Sequence, residues 1–518
     1  METEENKDVQ APEQDVAQPE AESAPPPTPQ ADGAAVATVP TPYKGFAGKL
    51  DKFFGISKAG SKFRTEIVGG LVTFMAMVYI LFVNSDMLGE LAGVSQGAIY
   101  IATALSAIVG TVLMSLLARM PLAQASGMGL NAFFTYTICF TFGLSYANAL
   151  LLVLIDGIIF IILTVTGLRK HLFNAIPKAV RVAIPAGIGL FIAFIGFQKS
   201  GLVVNDDVTL VNLISFNFLG SATYGSVMPV LVTVIGVIVV AVLAKRGVKG
   251  AVLWAILGAA GLYWVFMGIG YGYGDTTCIE IIDGFSLLNP IDAFKDWGTQ
   301  SVGQVFVKGF DFSGYLATHN GGQLALVIIT SALAFCMVDM FDTMGTLYGA
   351  CASGNLLDKD GNIPNINKSM LCDAIATSTG AIAGTSTVTT FVESSAGIGA
   401  GAKTGFASLI TSLCFVVAMF LSPLVSIIPG QATAVALIYV GVLMMGCVKE
   451  IDWKDPAQSV PAFLTIALMP FTYNISYGIA FGIIAYLLIK LCTGKVKEIH
   501  PVTVVIGVLF ALMFFLTH

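Results

Sequence analysis

Charge is the scarcest ingredient of this sequence. Only 11% of its 518 residues are Asp, Glu, Lys or Arg, against about 25% in a soluble domain. Hydrophobic residues make up 56% and mean hydropathy is +0.82. Too little polar surface remains to solvate such a chain in water, which excludes a large soluble protein. Histidine is also rare. The four residues His171, His319, His500 and His518 form no cluster. The eight cysteines show neither a CxxC nor a Cys/His ligand spacing, so neither a metal site nor a disulfide framework is expected. Seven of them lie in or beside apolar runs and read as small core residues, while Cys278 stands alone in a polar loop. No nucleophile–base pair, HExxH or cofactor motif stands out, so the chain does not read as an enzyme and no cofactor is expected.

What the chain has instead is a series of apolar runs long enough to cross a bilayer. They are preceded by residues 1–43, rich in Pro, Ala and acid. This tail holds nine acids against Lys7 alone, a net of −8 within a total of −6, so the rest of the chain is slightly basic. Such a composition cannot bury a core and reads as disordered. It lacks the pattern of a cleaved signal peptide, and the overall acidity points to no nucleic-acid partner. Residues 44–64 carry Lys44, Lys49, Lys52, Lys58, Lys62 and Arg64 among Phe46, Phe53 and Phe54. They read as a basic amphipathic segment on the cytoplasmic membrane surface.

Spans are expected at Ile67–Val83, Ala98–Leu117, Tyr146–Val165, Val180–Phe197, Val227–Leu243 and Ala251–Ile269, with a short Gly-interrupted stretch at Gln124–Cys139. After the loop 271–323 come Leu324–Leu347, Met370–Ala383, an interrupted Thr385–Gly399, Gly405–Leu421, Thr433–Cys447, Val460–Phe471 and Tyr477–Cys492. The sequence leaves open whether a last apolar stretch, Val502–Leu516, spans the membrane or lies against it. Lys and Arg in short loops (Arg119; Arg169, Lys170, Lys178, Arg181; Lys245, Arg246, Lys249; Lys359, Lys368; Lys403; Lys449, Lys454; Lys495, Lys497) fall on the side of the N-terminus, which is therefore expected to be cytoplasmic. The 271–323 loop, with six acids against Lys295 and Lys308, falls on the other side.

Seven segments lie on each side of that loop, so a repeat would be inverted across the membrane. A short, broken segment at matching positions in both halves is the sequence mark of such a transporter. The third segment of the first half, AQASGMGLNAFFTYT, and the third of the second, GTSTVTTFVESSAGIGAG, match that description. The Thr/Val alternation of Thr385–Thr390 reads as extended, and Ser394 as the start of a half-helix.

Ionisable residues at that depth are costly and mark a functional site by default. Asp339 and Asp342 lie three apart on one helical face in FCMVDMFDTMGT, and Glu393 lies among small residues of the second broken segment. Acids so close in a water-poor medium resist ionising together, so they are candidates for proton coupling as well as substrate binding. Asn131 in SGMGLNAFF supplies one acceptor and two donors, and Phe133 could stack on a planar ring. Three acids, one amide and no adjacent cation favour a neutral, N–H-rich heterocycle or a cation over an anion.

At these residues the sequence resembles the nucleobase–cation symporter-2 superfamily, the xanthine/uracil permeases, in its branch of adenine/guanine/hypoxanthine permeases. The motifs are FRTEIVGGLVTFMAMVYILFVN, ASGMGLNAFFTY, IPAGIGLFIAFIGFQ, DMFDTMGTL and TSTVTTFVESSAGIGAGAKTG, in order between Phe63 and His500. The resemblance implies an all-α polytopic fold of 14 segments in a seven-plus-seven inverted repeat, with short extended stretches in segments 3 and 10. It implies a core domain (segments 1–4 and 8–11) moving against a gate domain (5–7 and 12–14), with a homodimer through the gate. The domain limits expected are a first repeat at 65–270, a second at 324–493 and an apolar segment at 494–518. The function implied is proton-coupled import of a purine nucleobase across the cell membrane. Asn131, Asp339, Asp342 and Glu393 would hold the base, with Phe133 and Ser394 in support. The competing reading is a transporter of sulfate- or bicarbonate-like anions on the same fold.

Overall fold

The computed structural model of this chain describes residues 43–168, 175–220, 222–353, 356–357 and 363–517. The acidic tail over 1–42 lies outside the described residues, as do Arg169, Lys170, His171, Lys359 and His518. Among the described residues nine helices are long and apolar enough to cross a membrane. They are Phe63–Leu88, Gln96–Ala118, Tyr146–Thr166, Lys178–Lys199, Tyr224–Lys245, Ala251–Gly272, Gly321–Ala352, Gly430–Glu450 and Ile475–Cys492. Gly405–Met419, Pro456–Phe471 and Pro501–Leu516 are shorter apolar helices.

Several starts are written in the sequence as caps. Ser145 accepts from the Asn148 amide and Thr223 from that of Ser226, each inside a reciprocal capping box. Asn474 accepts from the Tyr477 amide and so begins a new helix three residues after Phe471. That break keeps Pro456–Phe471 and Ile475–Cys492 as two helices rather than one.

Two sets of helices pack within themselves. In one, Gly405–Met419 lies on Phe63–Met77 and Gln96–Leu113, and Ile366–Ala383 lies on Tyr146–Thr166 and Gln96–Leu113. In the other, Gly430–Met444 and Pro456–Phe471 lie on Lys178–Lys199, and Tyr224–Lys245 and Ala251–Gly272 lie on each other and on Gly430–Met444. Small residues let backbones touch. A Cβ on Gly441 would sit 2.4 Å from the Gly189 carbonyl oxygen, so the helices Lys178–Lys199 and Gly430–Met444 meet where neither has a side chain.

The non-helical backbone packs on the first set, against Gln96–Leu113 and Ile366–Ala383. Strand β1 (Gln124–Ser126) pairs antiparallel with β4 (Val388–Thr390), with Ala125 opposite Thr389, and every residue of both is buried. The amide of Gly127 donates to the Thr387 carbonyl at 3.0 Å and that of Phe391 to the Ala123 carbonyl at 3.0 Å, extending the ladder at both ends. Each strand runs into a short helix, Met128–Ala132 and Ser394–Gly399. The extended reading of Thr385–Thr390 thus corresponds to a strand at its last three residues. A separate exposed hairpin, β2 (Val203–Asp206) with β3 (Leu210–Leu213), was not anticipated from the sequence.

The 271–323 loop is more folded than its polarity suggests. It contains the helices Thr276–Asp283, Pro290–Asp296, Gln304–Val307 and Ser313–Leu316. Trp297 Nε1 donates to the Ala383 carbonyl at 2.9 Å and Asn148 Nδ2 to that of Gly309 at 2.9 Å, which fasten it to the helix ends beneath. Cys278, expected in a polar loop, is instead buried, and a Cβ on Gly270 would fall 2.3 Å from its sulfur. The last stretch forms the helix Pro501–Thr517, with Ile506, Phe510 and Met513 buried.

The Gly189–Gly441 contact makes a prediction. Gly441→Val must push the two helices apart and should destabilise the fold by about 1–3 kcal/mol, the usual range for overpacking. Gly258→Ala, where the added methyl meets nothing within 4 Å, should leave the melting temperature of the detergent-solubilised protein unchanged or raised. Equal melting temperatures for Gly441→Val and the parent would refute the close contact.

Candidate functional site

Beside the strand pair is a cavity of about 110 Å³. Its polar lining comes from Asp342 and Thr346 on the helix Gly321–Ser353, from Thr389 and Thr390 of β4, and from Glu393; Met444 closes it from the other helix set. Among the described residues no Lys, Arg or His lines it. Both acids are half-buried.

Each acid is held by a different device. The Thr389 hydroxyl donates to Asp342 Oδ2 at 3.1 Å, so a strand residue orients a helix carboxylate. Tyr79 lies where the first span breaks, between Phe63–Met77 and Ile80–Leu88; its side chain is fully buried and its hydroxyl donates to Glu393 Oε1 at 2.6 Å. Hydrogen bonds to a charged acceptor are the strong ones. The tyrosine therefore fixes one carboxylate oxygen of Glu393 and leaves the other for the cavity.

Asp339 points elsewhere. It is fully buried in a group with Asp156 and Asp373, close enough for their charges to interact. Asp373 is well supplied with donors: Thr343 Oγ1 at 2.6 Å, Gln124 Nε2 at 3.0 Å and Thr390 Oγ1 at 3.1 Å. Asp156 and Asp339 accept no hydrogen bond among the described residues, and the Thr343 hydroxyl turns to Asp373. Gln124 and Thr390 are paired residues of β1 and β4, so the acid group is tied directly to the strand ladder.

The structure thus brings Asp342 and Glu393 to one cavity and places Asp339 in a second group outside its lining. Asn131 is fully buried three residues beyond Met128 of the lining; its Oδ1 takes the Ser386 hydroxyl and its Nδ2 has no partner among the described residues. Phe133 packs edge-on against Phe335, ring centroids 4.6 Å apart, and is fully buried away from the cavity. The Ser394 hydroxyl accepts from the Ala123 amide at 3.0 Å, joining the two broken segments. Asp156 and Asp373 were not singled out in the sequence. The signal was available: each is the sole acid of its expected span, Tyr146–Val165 and Met370–Ala383.

Comparison with known proteins decides the family. The model described as "Permease family", that of the xanthine/uracil permeases, matches residues 64–481. The chain belongs to this nucleobase–cation symporter-2 family of permeases. It is accordingly an integral membrane transport protein rather than an enzyme. Among curated relatives, the guanine/hypoxanthine permease PbuG of Bacillus subtilis (strain 168) is 39% identical over 473 residues, covering 90% of this chain and 99% of that protein. The adenine permease AdeP of Escherichia coli (strain K12) is 35% identical over 465 residues, covering 90% and 96%. Among solved structures, the permease shares its fold with the transmembrane domain of the cyanobacterial bicarbonate transporter BicA (TM-score 0.53, 14% identity, 80% of this chain and 97% of that one). It also shares it with the murine anion transporter Slc26a9 in the inward-facing state (TM-score 0.54, 13% identity, 87% and 73%).

The donors around Asp373 yield a test independent of transport. In this permease Thr343→Val keeps the side-chain shape and removes the shortest donor to a fully buried carboxylate. The expected cost is about 1–3 kcal/mol, read as a lower melting temperature. Thr166→Val, whose hydroxyl bond to the Ile162 carbonyl is exposed, should change little. An unshifted Thr343→Val would mean that the acid group does not depend on this bond.

Proposed function

We propose that this permease is a proton-coupled symporter that imports a purine nucleobase (hypoxanthine, guanine or adenine) by alternating access. The observation that carries this reading is the cavity shared by Asp342 and Glu393, with no cation in its lining. A carboxylate is an acceptor and an anionic ligand would be repelled, so the guest must bring N–H donors. A cavity of about 110 Å³ is well below the ~300–1,000 Å³ of a drug-sized pocket and suits a small, flat molecule. Relatives at 35% and 39% identity named for adenine and for guanine/hypoxanthine support the same class. The anion reading rests only on fold likeness at 14% identity or less, and it lacks a cation at the site.

In this reading Asp342 and Glu393 accept the N–H edge of the base, and Asn131 supplies a donor from one turn behind. Asp339, with Asp156 and Asp373, holds protons whose exchange is linked to occupancy through Gln124 and Thr390. The fold is read as 14 segments in two inverted sevens, β1 falling in the third and β4 in the tenth. The two packed helix sets are the core and the gate, the membrane is the cell membrane, the N-terminus is cytoplasmic, and copies associate through the gate.

Proteoliposomes should accumulate hypoxanthine, guanine or adenine when the external face is acidified, and a protonophore should abolish the accumulation. Glu393→Gln and Asp342→Asn should each reduce uptake roughly 10- to 100-fold, the equivalent of losing a hydrogen bond to a charged group. Parental uptake in both would sink the site. Tyr79→Phe tests the orienting role. It should raise the KM for the base roughly tenfold with kcat little changed, the sign of lost uniform binding. Unaltered kinetics would reduce Tyr79 to a packing residue.

A further inference from the structure

The helix Lys178–Lys199 carries Arg181 near one end and Lys199 at the other. Eighteen residues at 1.5 Å each separate them by about 27 Å, close to a bilayer core. The two ends are in opposite conditions.

At the Lys199 end the helix sets are fastened together. Lys199 Nζ lies 2.7 Å from Asp86 Oδ2 and 2.6 Å from Glu90 Oε1, and its side chain is only 13% exposed. Asp86 also accepts from the Thr433 hydroxyl at 2.8 Å, and Glu90 from the Tyr136 hydroxyl at 3.2 Å. The Tyr136 ring meets Tyr473 edge-on, centroids 5.5 Å apart. Tyr473 is held at φ 55, the left-handed region that costs a non-glycine residue energy. Asp86 lies near the end of the span Phe63–Leu88 with Glu90 just beyond it, and Tyr136 follows Met128–Ala132; Lys199 and Thr433 lie on helices of the second set, and Tyr473 follows Pro456–Phe471 of that set.

At the Arg181 end the sets part around a second cavity of about 600 Å³, with Lys178, Tyr348 and Glu450 exposed on its rim. It adjoins the site. Phe341 and Gly345 line the larger cavity while Asp342 and Thr346, their neighbours on the same helix, line the smaller one. The stretch Gly430–Glu450 passes the three places in order: Thr433 at the fastening, Val440 and Met444 at the site, Cys447 in the larger cavity.

We infer that Lys199, bridging Asp86 and Glu90, is an ionic latch that shuts the face of the transporter opposite the Arg181 vestibule, and that its release is what opens that face. This rests on the alternating-access reading proposed above. With the latch closed, the site communicates with the vestibule. Breaking it favours the state in which the vestibule closes and Cys447 is covered. An ion pair suits this duty, because two desolvated charges can exchange each other for water, whereas packed glycine helices cannot separate so cheaply.

The test uses the full chain in proteoliposomes and N-ethylmaleimide, with modification of Cys447 followed by peptide mass spectrometry. Lys199→Met should slow Cys447 modification roughly fivefold or more, the low end of typical coupling between two states. The exchange Lys199→Asp with Asp86→Lys should restore the parental rate. Equilibrium binding of radiolabelled hypoxanthine to each variant reports whether it is folded. A Lys199→Met protein that binds hypoxanthine and labels at the parental rate overturns the latch, as does a slowed rate that the exchanged pair fails to restore. If the parent binds no purine but the labelling pattern holds, the substrate assignment fails and the latch stands.

Discussion

A peptide group left unpaired in hydrocarbon costs several kcal/mol, and this chain places two stretches of non-helical backbone inside a helical bundle. The pairing of Gln124–Ser126 with Val388–Thr390 meets that constraint. Each strand supplies the hydrogen bonds that the other lacks, and surrounding helices exclude lipid. Neither stretch could exist there without the other, although 264 residues separate Gln124 from Val388. The positions of Asp342 and Asp373 follow from it, because Thr389, Thr390 and Gln124 reach them from the ladder.

The same ladder explains why the acids divide into two groups. Successive strand residues face opposite ways. Thr389 bonds Asp342 and its neighbour Thr390 bonds Asp373, and both threonines also reach the cavity wall. Asp339 and Asp342, three apart on one helix, diverge accordingly: one joins Asp156 and Asp373, the other Glu393. A single strand of three residues therefore bonds both an acid of the cavity and a member of the buried set of acids.

Much of this was legible in the sequence, and the exceptions have physical causes. Hydropathy located the long helices, since composition alone decides what lipid accepts. Gly127, Gly129 and the Thr/Val run marked the two interruptions. The contents of the 271–323 loop were not legible, because its helices are short and are stabilised by tertiary bonds such as Trp297 to the Ala383 carbonyl. Asp156 is as isolated in its span as Glu393 is in its own. A lone acid in a long apolar helix attracts less notice than a pair like Asp339 and Asp342, yet the energetic cost of burying it is the same. Periodicity could not tell that Asp342 lines the cavity and Asp339 does not, since that depends on the Thr389 hydroxyl that Asp342 meets in space.

The two kinds of contact between helices also differ in a way that bears on motion. Within a set, Gly189 against Gly441 brings backbones into contact, and nothing can replace that packing if the helices part. Across the sets at the Lys199 end, the contacts include charges and hydroxyls, whose partners water can replace in turn. At the opposite end a cavity of about 600 Å³ opens between them. A structure that must keep two bodies intact while changing their relation has to place its irreversible packing inside each body and its exchangeable bonds between them. The Gly189–Gly441 packing inside one set and the Lys199 ion pair between the sets fit that division, and both follow from where the sequence puts glycine and where it puts charge.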